Sequence, residues 1–337
     1  MQRVICVGSA SKDIFFPTAE GIILETPQDL TSQVKVAFEL GGKFRAENRY
    51  EGIGGVAANV SVGLARLGIM SSCYSHLGAD DVGRGIKHLL SQEGVNTSLL
   101  TLDSSVQSDL SAIIVIEQTG DRIIFHNRDA NEKLKVSEEE CGNADWLYIS
   151  SLNGDWHQNV SVLRRAAQAH TLRIALNPGQ HNIKDDPKLI LEWLSEVDML
   201  FLNKDEAIEI LLANQVEKQP EKLQDEVNLL RLLREHGPMV VALTDGKRGA
   251  WTSDGKSVWH AESFEPYGLR DTTGGGDAFG SGFFSAYLKG FSLEICLQYG
   301  ICNAGSVVGY YGATPGLLDE QKMMTLIHQV KRTKLLV

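Results

Sequence analysis

Apolar and polar residues follow two patterns along this chain. Short apolar runs of strand length lie at 4–8, 71–78, 146–150, 173–177, 199–202 and 239–244. Segments with a helical period lie at 54–68, 82–93, 157–170, 186–195, 204–213 and 222–236, and again at 275–288, 292–310 and 319–330. This alternation predicts right-handed βαβ units, and therefore a three-layer α/β/α fold with a mostly parallel central sheet.

Two stretches depart from this alternation and predict a smaller β-rich part. Residues 17–53 contain strand-like runs at 21–25 and 34–40 but no helical period. Strands are also expected at 97–102, 110–117 and 122–126, with a turn at 118–121. We expect a single domain over 1–337 in which 17–53 and 97–128 form a lid. A piece this small cannot bury much core alone, so it must pack on the body or on a second copy.

Composition narrows the class of protein. The 337 residues are 43% hydrophobic and 22% charged, as in an ordinary globular protein, and the formal net charge is −11. That charge argues against a nucleic-acid or membrane-surface binder, and no apolar run is long enough for a membrane span. The five cysteines form no C-x-x-C pair, and the N-terminal apolar run is too short for a signal peptide, so we expect a cytoplasmic protein.

Candidate chemistry is concentrated in the stretch from Asp271 to Phe283, where three glycines precede Asp277 and a helical pattern. Glycines at a helix N-terminus leave backbone N–H groups bare, and with the helix dipole these form an anion site. A carboxylate is unfavourable in a site that only binds phosphate, but it is useful if it takes a proton from a group that attacks the phosphate. From these residues alone, a glycine-rich loop capped by Asp277 is equally plausible.

Two other polar positions are candidates for ligand binding. Asn59 lies one turn inside a helix that starts after Gly54-Gly55, on a face otherwise made of Ala and Val, so its side chain needs a partner. That partner is either the backbone or a ligand hydroxyl. Asp13 follows the first strand, at the edge where α/β sheets bind ligands, although a turn or a cap is the simpler interpretation.

Two strand ends carry residues suited to a nucleotide. Asn203 and Glu206 begin a helix in a capping-box pattern, which explains them structurally, but Glu206 could also serve a magnesium–phosphate group. Thr244 and Gly246 end another strand, where a nucleotide or a plain hairpin turn would fit. The chain has no P-loop, no G-x-G-x-x-G after the first strand and no metal-type histidine spacing, which argues against P-loop enzymes and dinucleotide-dependent oxidoreductases.

Together these motifs resemble those of the ribokinase-like (PfkB) carbohydrate kinases. The stretch D-T-T-G-G-G-D-A-F at 271–279 is similar to the family's D-T-T-G-A-G-D-x-F, with Gly275 in place of Ala. Residues 54–68 are similar to its G-G-x-x-x-N-x-A-x-x-x-A-x-L-G, with Ser61 in place of the first Ala. G-A-D-D-V-G at 78–83 and N-K-D-E at 203–206 match two further motifs in family order, so the resemblance covers almost the whole chain.

The resemblance implies a role for each candidate residue. Asp277 is then the general base, and the amides of Gly274, Gly275 and Gly276 hold the transferring phosphoryl group. The other implied sites are sugar contacts at Asp13, Gly54, Gly55, Asn59 and Asn131, nucleotide contacts at Asn203, Thr244, Gly246 and Asn303, a Mg²⁺ contact through water at Glu206, and a candidate K⁺ site at Asp271, Thr273 and Gly312. The lid covers the sugar and can also pair two subunits as a homodimer.

The function implied by the resemblance is ATP-dependent phosphorylation of a hydroxymethyl group of a small sugar. The segment R-D-A-N-E-K-L at 128–134 is similar to the G-A-N-x-x-L of ribokinase-type sequences, with Asp129 in place of Gly, which favours a sugar over a bulky nucleoside. A nucleoside kinase of the same fold and a catalytically silent sugar- or nucleotide-binding regulator remain alternatives. The stretch from Asp13 to Gly54 is longer than in ribokinase, which leaves the shape of the lid and its pairing open.

Overall fold

The computed structural model describes residues 2–25, 34–118 and 122–335. Its strands are β1 (Arg3–Val7), β2 (Ser11–Thr18), β3 (Ile22–Glu25), β4 (Val34–Ala37), β5 (Tyr50–Gly54), β6 (Met70–Gly78), β7 (Leu100–Asp103), β8 (Leu110–Ile116), β9 (Arg122–Asn127), β10 (Trp146–Ser150), β11 (Arg173–Asn177), β12 (Met199–Asn203), β13 (Val240–Thr244), β14 (Ala250–Ser253), β15 (Val258–Ala261) and β16 (Arg332–Leu335). Its α-helices are α1 (Val56–Arg66), α2 (Asp81–Gln92), α3 (Glu138–Cys141), α4 (Trp156–His170), α5 (Gln180–Asp185), α6 (Pro187–Trp193), α7 (Lys204–Ala213), α8 (Glu226–Arg234), α9 (Gly275–Leu288), α10 (Leu293–Val307) and α11 (Glu320–Leu326).

The main sheet confirms the expected α/β fold. Its strand order is β16-β15-β14-β13-β12-β11-β10-β1-β6-β7. The seven strands from β13 to β7 are parallel, and β14, β15 and β16 extend one edge in antiparallel pairs. Both faces are covered, because alternate residues of β1 enter two different cores, Val4 and Cys6 one and Ile5 and Val7 the other.

Strand β1 is the topological switch point of this sheet. The chain leaves β1 toward β6 on one side and later returns to pair β10 on the other side. Ligands of open α/β sheets bind in the crevice at the carboxyl ends of the strands next to such a point. The segment that follows β1 and leads to Asp13 therefore begins at the edge where such ligands bind.

A second, smaller sheet has the order β5-β2-β8-β9 and contains most of the expected lid, and the hairpin β3–β4 lies outside both sheets. We use the name lid for this sheet and its hairpin. The expected boundaries differ from the structure at two places. Strand β2 belongs to the lid sheet although it starts at Ser11, and β7, expected in the lid, pairs with β6 in the main sheet. Residues 26–33 and 119–121, including most of the expected turn at 118–121, lie outside the described residues.

The packing of α1 against α9 brings the two main sequence motifs together. A Cβ on Gly63 of α1 would lie 2.2 Å from Oγ of Ser281 in α9, so the two helices approach this closely only because residue 63 is glycine. The side chains four residues before Gly63 and Ser281 lie one turn earlier on the same helix faces. Those side chains are Asn59 and Asp277, and they meet at the same end of the helix pair.

The structure contains two strands that the sequence pattern does not predict. Strand β5 falls in a mixed segment and β16 has the sequence R-T-K-L. Neither has the apolar run of a buried strand, because both lie at sheet edges, where two of the five residues of β5 and three of the four residues of β16 are exposed. Helix α11 ends at Leu326 and continues as one 3₁₀ turn rather than to residue 330. Within the described residues, no helix combines the length and apolarity that a membrane crossing needs.

Candidate active site

The start of α9 has the features of an anion site. No side chain caps this helix, and Gly274, its N-cap residue, has a φ of 76°. A Cβ on Gly274 would lie 2.3 Å from the Cβ of Ala313, so only glycine fits this position. The amide of Gly275 donates a 3.3 Å hydrogen bond to the carbonyl of Thr272. The space beside Gly276 is open, because a Cβ on this residue would meet nothing within 4 Å. The first-turn amides have no intrahelical acceptors, so this helix end can bind an anion.

The carboxylate of Asp277 lies in the first turn of α9 and is held by a neighbouring helix. Nδ2 of Asn59 donates a 2.8 Å hydrogen bond to Oδ2 of Asp277. Oδ1 of Asn59 is buried and accepts no hydrogen bond. A buried amide oxygen without a donor is unfavourable, and an incoming hydroxyl group would satisfy it. The pair therefore offers a base and an acceptor side by side.

Asp13 provides a second carboxylate, on the lid strand β2. Its side chain is buried and accepts a 3.4 Å hydrogen bond from Oγ of Ser11. A Cβ on Gly54, in the paired strand β5, would lie 2.3 Å from the Asp13 carboxylate, and one on Gly55 would lie 2.6 Å from the carbonyl oxygen of Ser9. Both glycines are thus required for close approach at the start of α1, which is a structural reason for the Gly-Gly pair.

These carboxyl groups influence each other's protonation. Burial raises the pKa of Asp277 to about 6; the Asn59 hydrogen bond lowers it, and the charge of Asp13 raises it. Burial also raises the pKa of Asp13, opposed by hydrogen bonds from Ser111 and Ser11 and reinforced by the charge of Asp271. A carboxylate with a pKa near 6 is a stronger base than an ordinary aspartate and is still ionised at neutral pH, as a general base must be.

Glu206 and Asn203 form a capping box at the start of α7 and also border a cavity. The backbone N–H of Glu206 donates to Oδ1 of Asn203, and Oε2 of Glu206 accepts from the backbone N–H of Asn203, both at 2.9 Å. Both residues line a cavity of about 290 Å³ together with Thr244, Gly276 and Asp277. Burial raises the pKa of Glu206 to about 7, opposed by the Asn203 N–H and reinforced by nearby acidic residues. The structural and the functional interpretation of this motif are therefore compatible.

A second cavity of about 340 Å³ continues from the first and is more apolar. The two share Asn203, Thr244, Gly276 and Phe279. The rest of the second cavity is lined mainly by Gly246, Lys247, Phe264, Leu269, Ile301, Ala304 and Val308. An apolar slot that opens onto a helix N-terminus is suited to a flat ring with a phosphate chain attached. Thr244 and Gly246 lie where the sequence analysis expects them.

Two asparagines that the resemblance implies as ligand contacts have side chains bonded within the protein. Asn303 is fully buried in α10, where Nδ2 donates to the carbonyl of Ala278 and Oδ1 accepts from the N–H of Leu318. Asn131 is buried as well, and its amide bonds to the backbone of Ala10 and to Asp109. All polar atoms of both side chains are thus used within the protein, so each positions backbone and has none left for a ligand.

The candidate cation site is assembled around Asp271, but its carboxylate is already occupied by donors. Oδ1 accepts from the N–H of Thr273 at 3.0 Å and from its Oγ1 at 2.8 Å, and Oδ2 accepts from the N–H of Gly312 at 3.2 Å. A guanidinium nitrogen of Arg122 lies 3.0 Å from Oδ1. The three expected residues do come together, but Oδ1 already accepts three hydrogen bonds and does not fit a K⁺ ion.

Sequence patterns missed two basic residues whose side chains reach segments next to the site. Arg122 reaches Asp271 from the lid, 149 positions away in the chain. Lys204 of α7 is buried; its Nζ lies 2.7 Å from Oε1 of Glu226 and 3.9 Å from Oδ2 of Asp245, which precedes Gly246. Both contacts join distant segments, so no local pattern indicates them. The one sequence feature that could have indicated Lys204 is its position inside the N-x-x-E motif, where a basic side chain that is buried needs an acidic partner.

Comparison with known proteins agrees with this geometry. A model of the pfkB family carbohydrate kinases matches residues 1–320. The chain belongs to this family. Its members are phosphotransferases that act on alcohol groups, so the protein is a kinase, and the family resemblance drawn from the motifs is confirmed.

Individual relatives differ in the substrate they are named for. The chain is 26% identical to a ribokinase of Haemophilus influenzae over 295 residues, which is 85% of this chain and 91% of the relative. It is also 26% identical to a nucleoside kinase of Methanocaldococcus jannaschii over 327 residues, 96% of each chain. A fructokinase of Salmonella typhimurium is 25% identical over 244 residues, 69% of this chain and 76% of the relative.

Solved structures confirm the fold. The Methanocaldococcus jannaschii nucleoside kinase superposes with a TM-score of 0.74 at 22% identity, covering 98% of this chain and 99% of that one. An Arabidopsis thaliana ribokinase in complex with ribose and ATP superposes with a TM-score of 0.75 at 20% identity, covering 97% and 98%. The ribokinase-like α/β fold expected from the motifs is therefore correct.

Proposed function

We propose that this kinase transfers the γ-phosphoryl group of ATP to a hydroxymethyl group of a small sugar, with Asp277 as the general base. The observation that carries the proposal is the Asn59–Asp277 pair at the N-terminus of α9, with the amide oxygen of Asn59 buried and unpaired. A substrate hydroxyl bound there would lie beside the base and next to the helix amides that receive the phosphoryl group. Positioning, charge stabilisation and one proton transfer are the work required.

The nucleotide would occupy the two connected cavities. The base would lie in the apolar part, between the loop at Gly246 and helix α10, and the phosphates would run past Thr244 to the first turn of α9. Main-chain amides of Gly274, Gly275 and Gly276 would bind the transferring group, the Gly275 amide after giving up its long bond to Thr272. Asp13 and the close approach at Gly54 and Gly55 would complete the sugar side.

The residues present fit a Mg²⁺ ion held mainly by phosphate. No cluster of three or more His, Cys, Asp or Glu side chains in 2–25, 34–118 and 122–335 could hold a metal by itself. Mg²⁺ commonly uses one or two carboxylates, waters and substrate phosphates rather than an all-protein cage. Glu206 supplies such a carboxylate in the phosphate cavity, where it would act through water. When bound, Mg²⁺ would neutralise the charge of the triphosphate.

A nucleoside acceptor is the second candidate. The observation that favours it is the similarity to the Methanocaldococcus jannaschii nucleoside kinase, which extends over 96% of both chains. The sugar is favoured by the 128–134 segment, although Asn131 would then act by positioning the turn at Ala10 rather than by contact. A catalytically silent regulator is disfavoured, because a binding protein has no need of a base beside the anion site.

One assay separates these candidates. ADP release would be measured with Mg-ATP and a panel of pentoses, hexoses, ketoses, sugar acids and nucleosides, and the product would be identified by mass spectrometry. We expect turnover with a small sugar, a product heavier by one phosphoryl group, and formation of this product about 10²–10⁴-fold more slowly by Asp277→Asn. Turnover confined to nucleosides would favour the second candidate. Absence of turnover with every acceptor, although an ATP analogue and a sugar both bind, would favour the regulator.

We also propose that the lid pairs two subunits and that the protein is cytoplasmic. The lid and its hairpin expose large apolar side chains, with Leu40 99%, Ile22 67% and Phe125 65% accessible. Such a surface suits burial against a second copy. The five cysteines are free and buried, as is usual in a reducing compartment. Light scattering tests the pairing: wild type is expected to be dimeric and Phe125→Asp monomeric, and a monomeric wild type would contradict it.

A further inference from the structure

The lid reaches the anion-site loop through one arginine. Arg122 is the first residue of β9, and one guanidinium nitrogen lies 3.0 Å from Oδ1 of Asp271 and 2.8 Å from Oγ1 of Thr272. The side chain of Asp271 is only 2% exposed, whereas that of Arg122 is 31% exposed. Asp271 and Thr272 begin the loop that leads to Gly274, so the lid strand and the phosphate-binding loop are joined at this pair.

Oδ1 of Asp271 has no free position for another cation. Of the four donors that reach this carboxylate, three converge on Oδ1, namely Arg122 and the N–H and Oγ1 of Thr273, whereas Oδ2 accepts only the N–H of Gly312. Thr273 and Gly312 both approach the carboxylate with hydrogen-bond donors. An ion at Oδ1 would have to displace the guanidinium, and an ion at Oδ2 would be repelled by the positive charge of the neighbouring Arg122.

A buried carboxylate here needs a positive partner. Asp271 is close enough to Asp13 for its charge to raise the pKa of Asp13, and Asp13 in turn raises that of Asp277. The triphosphate would add further negative charge on the other side of the loop. Removing a partner from a buried carboxylate costs far more than an exposed pair contributes.

We propose that Arg122 is a built-in cation that takes the place of a monovalent ion at Asp271, so that the kinase works without K⁺. The guanidinium neutralises Asp271 and fixes the loop at Thr272, and it does so only while the lid lies against the body. The inference rests on the proposed function for its kinetic part, whereas ion binding at Asp271 can be measured without any acceptor.

The first experiment is a thermal-unfolding series in KCl and in choline chloride at equal ionic strength. Wild type is expected to melt at the same temperature in both salts. Arg122→Gln, which leaves Asp271 without its cation, is expected to melt about 2 °C or more higher in KCl, saturably, as for an ion that binds only the folded state. Arg49→Gln, which removes a lid arginine paired with exposed Glu51, is the matched control and should show no difference between the salts.

The second experiment measures steady-state rates in the same salts with the best acceptor. Wild type is expected to be unaffected by K⁺, Arg122→Gln to be activated about tenfold or more, and Arg122→Lys to be intermediate. Potassium-specific stabilisation or activation of wild type would overturn the proposal, and so would an Arg122→Gln variant that K⁺ neither stabilises nor activates. If no acceptor is phosphorylated, the unfolding series still decides the role of Arg122, so failure of the proposed function is distinguishable.

Discussion

Asn59 donates a 2.8 Å hydrogen bond from Nδ2 to the carboxylate of Asp277 and keeps its buried Oδ1 unpaired. The bond stabilises the ionised form of Asp277, while burial and Asp13 stabilise the protonated form. The opposed effects leave the pKa at about 6, between that of an ordinary aspartate and neutrality. Asn59 therefore has two roles in the proposed reaction: it sets the basicity of Asp277 and accepts a hydrogen bond from the substrate.

The first prediction concerns the pH dependence of kcat/KM. The base must be ionised, so kcat/KM is expected to fall about tenfold per pH unit below a pKa of about 6 and to be level above it. Asn59→Asp removes the donor and adds a negative charge beside Asp277, so the acid limb should move to higher pH. Asn59→Ala removes only the donor and should move it less. Acceptor saturation curves recorded at each pH give kcat and KM separately, so a shift in the ionisation of the base is distinguished from a loss of acceptor affinity.

Glu206 is the alternative source of the acid limb, because its pKa is raised to about 7. Glu206→Gln is therefore the control. If Asp277 is the base, the limb near pH 6 persists in this variant, even though KM for Mg-ATP rises. A limb that disappears with Glu206 and is insensitive to Asn59→Asp would assign the ionisation to Glu206 instead.

The second prediction is that Asp277→Asn loses activity but gains stability at neutral pH. General-base catalysis contributes about 10²–10⁴-fold, so turnover should fall by that order, with nucleotide affinity nearly unchanged. The raised pKa means that the folded state binds more protons than the unfolded state between the ordinary aspartate value and about 6. Ionised Asp277 thus destabilises the fold above about pH 6. Asp277→Asn should melt above wild type at pH 8, and the difference should vanish toward pH 4.

A carboxylate with the opposite shift provides the control for this sign. Burial raises the pKa of Asp254, but hydrogen bonds from the backbone N–H groups of Lys256 and Ser257 lower it by more, so the pKa lies below its ordinary value. Asp254→Asn should therefore lower the melting temperature at pH 8 and lose that effect in acid. If Asp277→Asn destabilises the protein as Asp254→Asn does, the Asp277 carboxylate is a helix cap rather than a strained base.

Local sequence was informative where a residue's role depends on its own helix or turn. The N-terminus of α9, the capping box of Asn203 and the parallel sheet follow from spacing and composition alone. The meeting of Asn59 with Asp277 and of Arg122 with Asp271 depends on which helices and strands become neighbours, which no local period specifies. The side chain of Asn303 depends on packing in the same way, because it turns into the contact between α9 and α10.

The third prediction contrasts two neighbouring glycines. Gly274→Ala would place a Cβ 2.3 Å from that of Ala313 at a φ of 76°, so the loop must shift. We expect a loss of about 1–3 kcal/mol in unfolding free energy and a large fall in kcat, because the amides move away from the phosphoryl group. Gly275→Ala places its Cβ 3.4 Å from the Val308 side chain without positive φ, which is ordinary contact. This variant, which carries the usual family residue, should be as stable and active as wild type.

Chemical denaturation and steady-state kinetics of the two variants measure this contrast side by side. The same methyl group is added one residue apart, so a difference reports backbone geometry rather than chemistry. Equal loss of activity in both variants at unchanged stability would mean that bulk anywhere in the loop blocks the phosphates. It would contradict the specific requirement at Gly274.

The fourth prediction concerns the buried pair of Lys204 and Glu226, which are joined at 2.7 Å. Arg248 bridges Glu226 at 2.7 Å and Asp245 at 3.0 Å, so the network ties α7 and α8 to the loop that lines the nucleotide cavity. Lys204→Met should cost up to about 3 kcal/mol, the low end for breaking a buried pair, since Arg248 still contacts Glu226. Because the loop at Asp245 loses support, KM for ATP should rise several-fold while KM for the acceptor is unchanged.

A double variant separates the two effects of Lys204. Lys204→Met with Glu226→Leu removes both buried charges, so urea denaturation should show recovered stability, as expected for an apolar replacement of an ion pair. The KM for ATP should stay high, because Asp245 still lacks its neighbour. Lys222→Met, which removes an exposed partner of Glu217 3.8 Å away, is the control and should change neither quantity. If KM for ATP tracks stability in all three variants, the pair supports the fold and has no separate role in positioning the nucleotide loop.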